Sequence, residues 1–516
     1  MNRKIINSLI IFIIAVAFKI FSALTIHPYS ADGCLYLNIA RSIAAGHGFY
    51  CSFNFYQYWG KDTIFYPALV FMHPIYPLFA GIVWYFFHSL AAVDAANVFV
   101  SAANCVILYL IVERMYNSTV GVFSALLLSV SDPMFTTSIL PWSEQLHLFF
   151  LLSAVWWVAD KSSLEKPANL LMAGFLLGLS YLVRVSGIYN LFIFSGLFIV
   201  FGGVSLKSFK TLFFFWLGFF IVLLPYELYC YFNYHIFYPE YPSHARVFNA
   251  SREVGGAYFA TKPVLRLPAD FKFDFIKLFF SNVPNHLAAF AWAGYQSINF
   301  LLLVVFIKAI SIFKNKRFDE NLFFWIGMGH ILFFSLSFYW LATWRLETHR
   351  YFLITSVFWI PLGVSALYEL AQILLENYRE VYLKVYFLIL MILLVWLLGE
   401  REINNNQYSM VYFHELSQPT KDTAISRWIN ARSNPMDLIA TTEYQVDFDL
   451  DRPVVSMPEG ALINDTNMKD FLKIYQPKYI LIGKPLIKHY KAFLDQHCIE
   501  QQIPATLQSD YTLYKL

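Results

Sequence analysis

The chain has few charges. Asp, Glu, Lys and Arg together make up 14% of its 516 residues, against about 25% in an average soluble protein. That is too little polar surface to cover the three soluble domains its length would allow at roughly 150 residues each. Disorder is excluded as well, because it needs low hydrophobicity and high charge, and 58% of these residues are hydrophobic. A net charge of only +3 speaks against nucleic acid as a partner. Cysteine is sparse too, with five residues, and no CxxC or zinc spacing occurs. Cys34 and Cys51 share the first long loop. A bridge between them is open if that loop faces an oxidising compartment, although the helix inferred after Cys34 would have to fold back. What remains is a protein that spans a membrane many times.

The few charges are unevenly spread. Residues 400–516 hold 27 of them, about 23% of that stretch, while the other 399 residues hold 44, about 11%. The composition therefore separates a membrane body, residues 1–400, from a soluble C-terminal domain, residues 401–516.

A spanning helix needs about 20 apolar residues. The first run, Ile5–Ile26, follows Arg3 and Lys4. It is too long for a signal-peptide core and lacks an evident cleavage site, so it reads as an uncleaved helix with a cytoplasmic N-terminus. Further runs lie near 96–112, 119–135, 141–159, 168–183, 187–205, 211–231, 290–312, 320–341, 351–371 and 382–399. That makes about eleven spans. The short apolar segment 76–90 reads as interfacial or re-entrant. With it not crossing, Arg114, Lys161, Lys166, Lys207, Lys210, Lys314, Lys316, Arg317, Arg379 and Lys384 all fall on the cytoplasmic side, as the positive-inside rule requires. The outer side then carries loops 27–75 and 232–289 and the C-terminal domain. Loops that long usually have a function.

In the first outer loop, Asp32 opens a predicted helix in which Leu35, Ile39 and Ile43 recur at helical spacing. Gly46 and Gly48 stop it. Such a helix is expected to lie along the membrane surface. Two roles fit Asp32, a helix N-cap and a general base at that surface. The loop closes on Tyr66-Pro67 and His73-Pro74-Ile75-Tyr76-Pro77. His73 is either a plain interfacial residue or a contact to an anionic group.

At these residues the chain resembles the GT-C superfamily of integral-membrane glycosyltransferases, in particular bacterial relatives of protein O-mannosyltransferase and lipid A aminoarabinose transferase. Asp32 with "YLNIARSIAAGHGF" carries the resemblance, as do "HPIYPLFAGIVW" and "PWSEQLHLFFLLSAVWW", the last with Glu144. So does the pair "GLSYLVRVSGIY" and "HRYFLITSVFWIPL", with Arg184 and Arg350. Two departures stand out. Gly33 replaces a second acidic residue, and Ile75 replaces a second proline. The resemblance covers the membrane body. It implies transfer of a monosaccharide from a polyprenyl phosphate to a protein or glycolipid hydroxyl on the outer face, with inversion at the sugar.

That reaction needs a base, typically contributing about 10²–10⁴-fold, and positive groups to stabilise the departing phosphate. The resemblance makes Asp32 the base. Glu144, near the outer start of a helix, is either a first-turn carboxylate favoured by the helix dipole or a group that orients the acceptor, assists the base or binds a metal. Arg184 and Arg350 lie at outer helix ends, where they either snorkel to headgroups or pair with the lipid-linked phosphate. Arg345 and His349 lie beside Arg350. Lys19, the one charge inside the first helix, snorkels or meets Asp32 or phosphate. In the 232–289 loop, Arg246, Arg252, Lys262 and Arg266 are candidates to cover the phosphate or receive the acceptor. His235, His244 and His286 there lack metal-ligand spacing, so no metal or other cofactor is expected.

In the C-terminal domain, residues 420–432 and "MKDFLKIYQ" read as helices, and "MDLIATT", "RPVVSMP" and "PKYILIG" as strands. The alternation predicts a small α/β domain without a nucleotide fingerprint. Acceptor recognition and support of the outer loops are both open to it. The whole is thus expected to be a mainly α, polytopic protein of the bacterial inner membrane. Its about eleven spans are joined by interfacial helices in the first outer loop and an outer α/β domain. The competing readings are a lipid or glycolipid transporter, which should show internal repeats where none is seen, and an assembly subunit with a degenerate site.

Overall fold

The computed structural model describes residues 3–25, 31–51, 53–54, 73–234, 308–314, 317–337, 350, 353–374, 419–442, 450, 452–458, 465–508 and 510–516, with positions 284, 304, 305, 385 and 389. These fall into two compact units. One contains residues 1–26, 93–232 and 274–413, and the other 27–92, 233–273 and 414–516.

The first unit is helical. It contains α1 (Arg3–Thr25), and α2 (Ala31–Ala44) and α3 (Ile75–Phe87) follow in the second unit. The chain returns to the first with α4 (Leu90–Met115), α5 (Ser118–Val130), α6 (Asp132–Ile139), α7 (Glu144–Val158), α8 (Pro167–Val183), α9 (Gly187–Gly202), α10 (Leu206–Tyr234), α11 (Phe318–Ser337) and α12 (Leu353–Leu374). Among the described residues, α4, α10 and α12 are each long and apolar enough to cross a membrane. The expected span 119–135 is instead broken. Helix α5 stops at Ser131, in extended conformation, and α6 restarts with Pro133 in its first turn. The two are bent by 57° and make a fourth crossing if taken as one. The physical reason is that proline suits a helix start and not its interior. Most of the expected spans 290–312 and 382–399 lies outside the described residues.

Local chemistry sets the helix ends. Asn117 accepts a hydrogen bond from the Val120 amide at 3.0 Å and caps α5. Pro167 opens α8, and Gly203, at φ 69°, ends α9. Ion pairs tie several ends together. Arg114 meets Asp160 at 2.8 Å, Lys207 meets Glu165 at 2.7 Å, and Arg317 meets Asp319 at 2.6 Å. Arg317 also donates to the Met115 carbonyl at 2.8 Å. One end of this unit is therefore charged and interlocked. Helix α7 runs toward this end and α8 runs back from it, so Glu144 and Arg184 lie at the other end.

The second unit is built on a mostly parallel sheet. Its strands are β1 (Phe53–Asn54), β2 (Ile439–Thr441), β3 (Val454–Ser456), β4 (Tyr479–Gly483), β5 (Ile499–Gln501) and β6 (Tyr511–Lys515), in the order β1-β3-β2-β4-β6-β5. β2 pairs parallel with β3 (Ile439↔Val454) and with β4 (Ile439↔Tyr479). β6 runs antiparallel between β4 and β5. The helices are α13 (Pro419–Asn430), α14 (Asp465–Tyr475) and α15 (Ile487–His497). Side chains alternate across a strand, so the sheet has two covered faces. Ala440, Val455, Ile480 and Ile482 pack with Met468 and Phe471 of α14 and Tyr490 and Leu494 of α15. Ile439, Val454, Leu481 and Leu513 pack with Ile425 and Ile429 of α13 and with Leu35 and Ile39 of α2.

That second face corrects one expectation. The Leu35–Ile39–Ile43 stripe of α2 covers the sheet, and residues 33–40 are buried throughout. An apolar stripe needs an apolar partner, and here a sheet supplies it where a membrane surface was expected. Gly46 and Gly48, at φ 82° and 79°, end the segment as expected. The opposite side of α2 meets α3, where the Tyr36 and Tyr76 rings stand edge to face at 4.9 Å. Helix α3 is about 20 Å long, shorter than a hydrocarbon core of about 30 Å. No disulfide joins Cys34 to Cys51.

Candidate active site

The site is built where α7 begins. Glu144 is its first residue and is buried, with a side-chain exposure of 5%. Arg184, immediately after α8, reaches across to it. Its Nη1 donates to Glu144 Oε1 at 2.7 Å and to Ser143 Oγ at 3.0 Å. Arg350, just before α12, places its Nε 3.5 Å from the same Glu144 oxygen. Its guanidinium lies over the Trp142 ring, 4.7 Å from the centroid. Glu144 Oε2 is buried and has no hydrogen-bond partner among the described residues.

Elementary electrostatics gives this cluster a direction. Two guanidinium groups approach one oxygen of the buried Glu144 carboxylate. The start of α7 adds the positive end of a helix dipole. Both features favour an incoming anion, and the planar fork of arginine suits phosphate. The aromatic face of Trp142 keeps the Arg350 plane in place.

Of the residues singled out in the sequence, the structure brings together Glu144, Arg184 and Arg350. Lys19 lies on α1, whose Phe18 and Ile20 pack against the core that contains Trp142. It is fully buried, and its Nζ donates to Ser101 Oγ of α4 at 2.8 Å. Asp32 is the second residue of α2, and His73 precedes α3 by two residues, half-buried. Both belong to the second unit. The Asp32 side chain lies outside the described residues, as do Arg345, His349 and most of the 232–289 loop with its arginines and histidines. Among the described residues, no three His, Cys, Asp or Glu side chains gather as a metal set.

A buried polar seam escaped the sequence reading. On α4, Asp94, Asn97, Ser101 and Asn104 are all buried. Asn97 donates to the Leu140 carbonyl at 2.6 Å, and Asn104 to the Gln145 carbonyl at 2.9 Å. Gln145 in turn donates to Thr137 Oγ1 at 2.6 Å. These bonds hold the α6–α7 turn, and so Trp142 and Glu144, against α4. One turn along α7, His147 Nδ1 lies 2.8 Å from Ser180 Oγ of α8, which fixes the helix that ends at Arg184. The signal was present as spacing: positions 94, 97, 101 and 104 share one helix face.

Comparison with known proteins agrees with this architecture. Residues 73–229 match the family described as dolichyl-phosphate-mannose-protein mannosyltransferase. No curated protein matches the chain. Among solved structures, ArnT from Cupriavidus metallidurans, bound to undecaprenyl phosphate, has a TM-score of 0.60 at 13% identity, over 98% of this chain and 97% of that one. The oligosaccharyltransferase of Archaeoglobus fulgidus, in complex with zinc and sulfate, has a TM-score of 0.60 at 12% identity, over 95% and 69%. The same organism's AglB, with an inhibitory peptide and a dolichol-phosphate, has a TM-score of 0.56 at 12% identity, over 94% and 71%. The chain thus carries the fold of the GT-C superfamily of integral-membrane glycosyltransferases.

Proposed function

We propose that this protein transfers a monosaccharide from a polyprenyl-phosphate donor to a hydroxyl of a protein or glycolipid, on the outer face of a bacterial inner membrane. The observation that carries the reading is the convergence of Arg184 and Arg350 on Glu144. It is supported by the ArnT structure, whose ligand is undecaprenyl phosphate, and the AglB structure, whose ligands include a dolichol-phosphate.

In this reading Arg184 and Arg350 receive the lipid-linked phosphate. Glu144 orients the two guanidinium groups through Oε1, and its second oxygen remains for the acceptor. Asp32 takes the acceptor hydroxyl proton. The acceptor oxygen forms its bond to the anomeric carbon from the side opposite the phosphate. The bond from that carbon to the phosphate oxygen breaks, and its electron pair leaves with the polyprenyl phosphate. The arginines stabilise that developing charge, which is the larger electrostatic task. Attack from the far side inverts the sugar. His73 is a further candidate for contact with the lipid phosphate, Lys19 is held by Ser101 and is given no contact with it, and no metal or other cofactor is assigned a step.

The test is sugar transfer by the purified protein from labelled polyprenyl-phosphate sugars. Asp32→Asn should lower the rate by about 10²–10⁴-fold, the usual worth of a general base, with unchanged expression and thermal stability. Full activity in that variant would remove Asp32 as the base. Movement of the intact lipid across a bilayer without any transfer would favour a transporter instead.

A further inference from the structure

The C-terminal domain is separated in sequence from the first outer loop by 325 residues, yet the two form one folded body. Leu35 and Ile39 of α2 are buried in the same core as Ile425, Ile439, Leu481 and Leu513. Cys51 joins that core, and two residues on the chain becomes a strand of the sheet: β1 pairs parallel with β3, Phe53 opposite Val454. The other side of α2 is closed by α3, where a Cβ on Gly81 would come within 3.1 Å of the Ala40 carbonyl. Helix α2 is therefore wedged between a sheet and a helix. Its first turn carries Asp32.

We propose that the C-terminal domain is the positioning platform of the catalytic loop. One face of its sheet holds α2 in place and thereby sets where Asp32 stands. The other face carries α14 and α15, and among the described residues its core includes none from α2. The inference rests on Asp32 being the base. The positioning residues are Leu481, Ile439 and Leu513 on the sheet and Leu35 and Ile39 on the helix. They act through α2 and not on substrate.

Adjacent residues of β4 provide the test. Leu481 and Ile480 are both fully buried and point to opposite faces. Each is cut to alanine in the full chain. Hydrogen exchange is then followed for the amides of residues 33–40 and of α14. Leu481→Ala should speed exchange in residues 33–40 by about tenfold relative to Ile480→Ala, which should act mainly on α14. Turnover with the polyprenyl-phosphate sugar should fall in Leu481→Ala more than in Ile480→Ala. Affinity for undecaprenyl phosphate should hold in both. Should Leu481→Ala not fold, Ile39→Val trims the same core from the helix side and should show the same pattern more weakly. Equal exchange in residues 33–40 for the two alanine variants would overturn the platform. So would faster exchange there with unchanged turnover. If wild type transfers no sugar, or Asp32→Asn is fully active, the catalytic reading fails while the exchange result still decides whether the sheet holds α2.

Discussion

Arg184 and Arg350 meet at a single oxygen of Glu144, and this contact makes distinct demands on the two side chains. Arg184 spends one nitrogen on Glu144 and Ser143, and under the proposed function its other donors serve the phosphate. Arg184→Lys keeps the charge and loses the fork. It should weaken undecaprenyl phosphate binding about 10- to 150-fold, the loss of one charge-assisted hydrogen bond at roughly 1.5–3 kcal/mol. Arg184→Ala should weaken it by more, and Arg350→Ala likewise. Binding of labelled lipid in detergent measures this, and equal affinities across the set would remove the arginines from the phosphate site. Lys19 separates from this pair. It is buried against a neutral hydroxyl, and apolar replacement of buried charge is often neutral or stabilising. Lys19→Met should leave lipid affinity within about threefold of wild type and the melting temperature equal or higher. A loss as large as that of Arg184→Ala would return Lys19 to the phosphate site.

At the scale of elements, the helical unit depends on backbone contact between α8 and α10. A Cβ on Gly174 would stand 1.9 Å from the Phe215 carbonyl oxygen, and one on Gly218 would stand 2.1 Å from that of Leu171. Membrane helices associate through such small residues. Gly174→Leu should force the pair apart and lower stability by at least about 1–3 kcal/mol, the usual cost of overpacking. Gly196→Leu on α9, where a Cβ meets nothing within 4 Å, should leave it unchanged. Thermal unfolding in detergent compares them, and equal melting points would refute the close packing. The same elements show how far the sequence could be read. Runs of apolar residues locate α1, α4 and α7–α12 within a few residues, although among the described residues only α4, α10 and α12 are each long and apolar enough to cross a membrane. The charges Glu144, Arg184 and Arg350 were legible because charge is rare in such helices. Asn97, Asn104, Gln145 and His147 were not, since uncharged polar residues barely interrupt an apolar run. The partner of the α2 stripe was also hidden. A stripe declares that it needs an apolar surface and leaves open which one, and the sheet that covers it lies at the far end of the chain.

For the whole molecule, the question is which way the candidate site faces. The helical unit has one end interlocked by Arg114–Asp160, Lys207–Glu165 and the bond from Arg317 to the Met115 carbonyl. Lys308 joins it by pairing with Glu369, toward the end of α12, at 2.5 Å. Helix α7 begins at Glu144 and stops just before Asp160, α8 returns from Glu165 to Arg184, and α12 begins next to Arg350. All three site residues therefore lie at the end opposite the interlocked one. The interlocked end also carries the excess of Lys and Arg in short loops, and such loops remain in the cytoplasm. The site should then face outward, where a flipped lipid-linked sugar is presented. Val204, in the link between α9 and α10, is exposed on the basic end and offers a direct check. Val204→Cys should react with a membrane-impermeant thiol reagent in inside-out vesicles and stay unreacted in intact cells. The natural cysteines Cys34, Cys51, Cys105 and Cys230 are buried, and Cys498→Ser removes the half-exposed fifth. Labelling of Val204→Cys in intact cells would turn the molecule over. The arginine pair would then face the cytoplasm, and the donor would have to be used on the side where it is made.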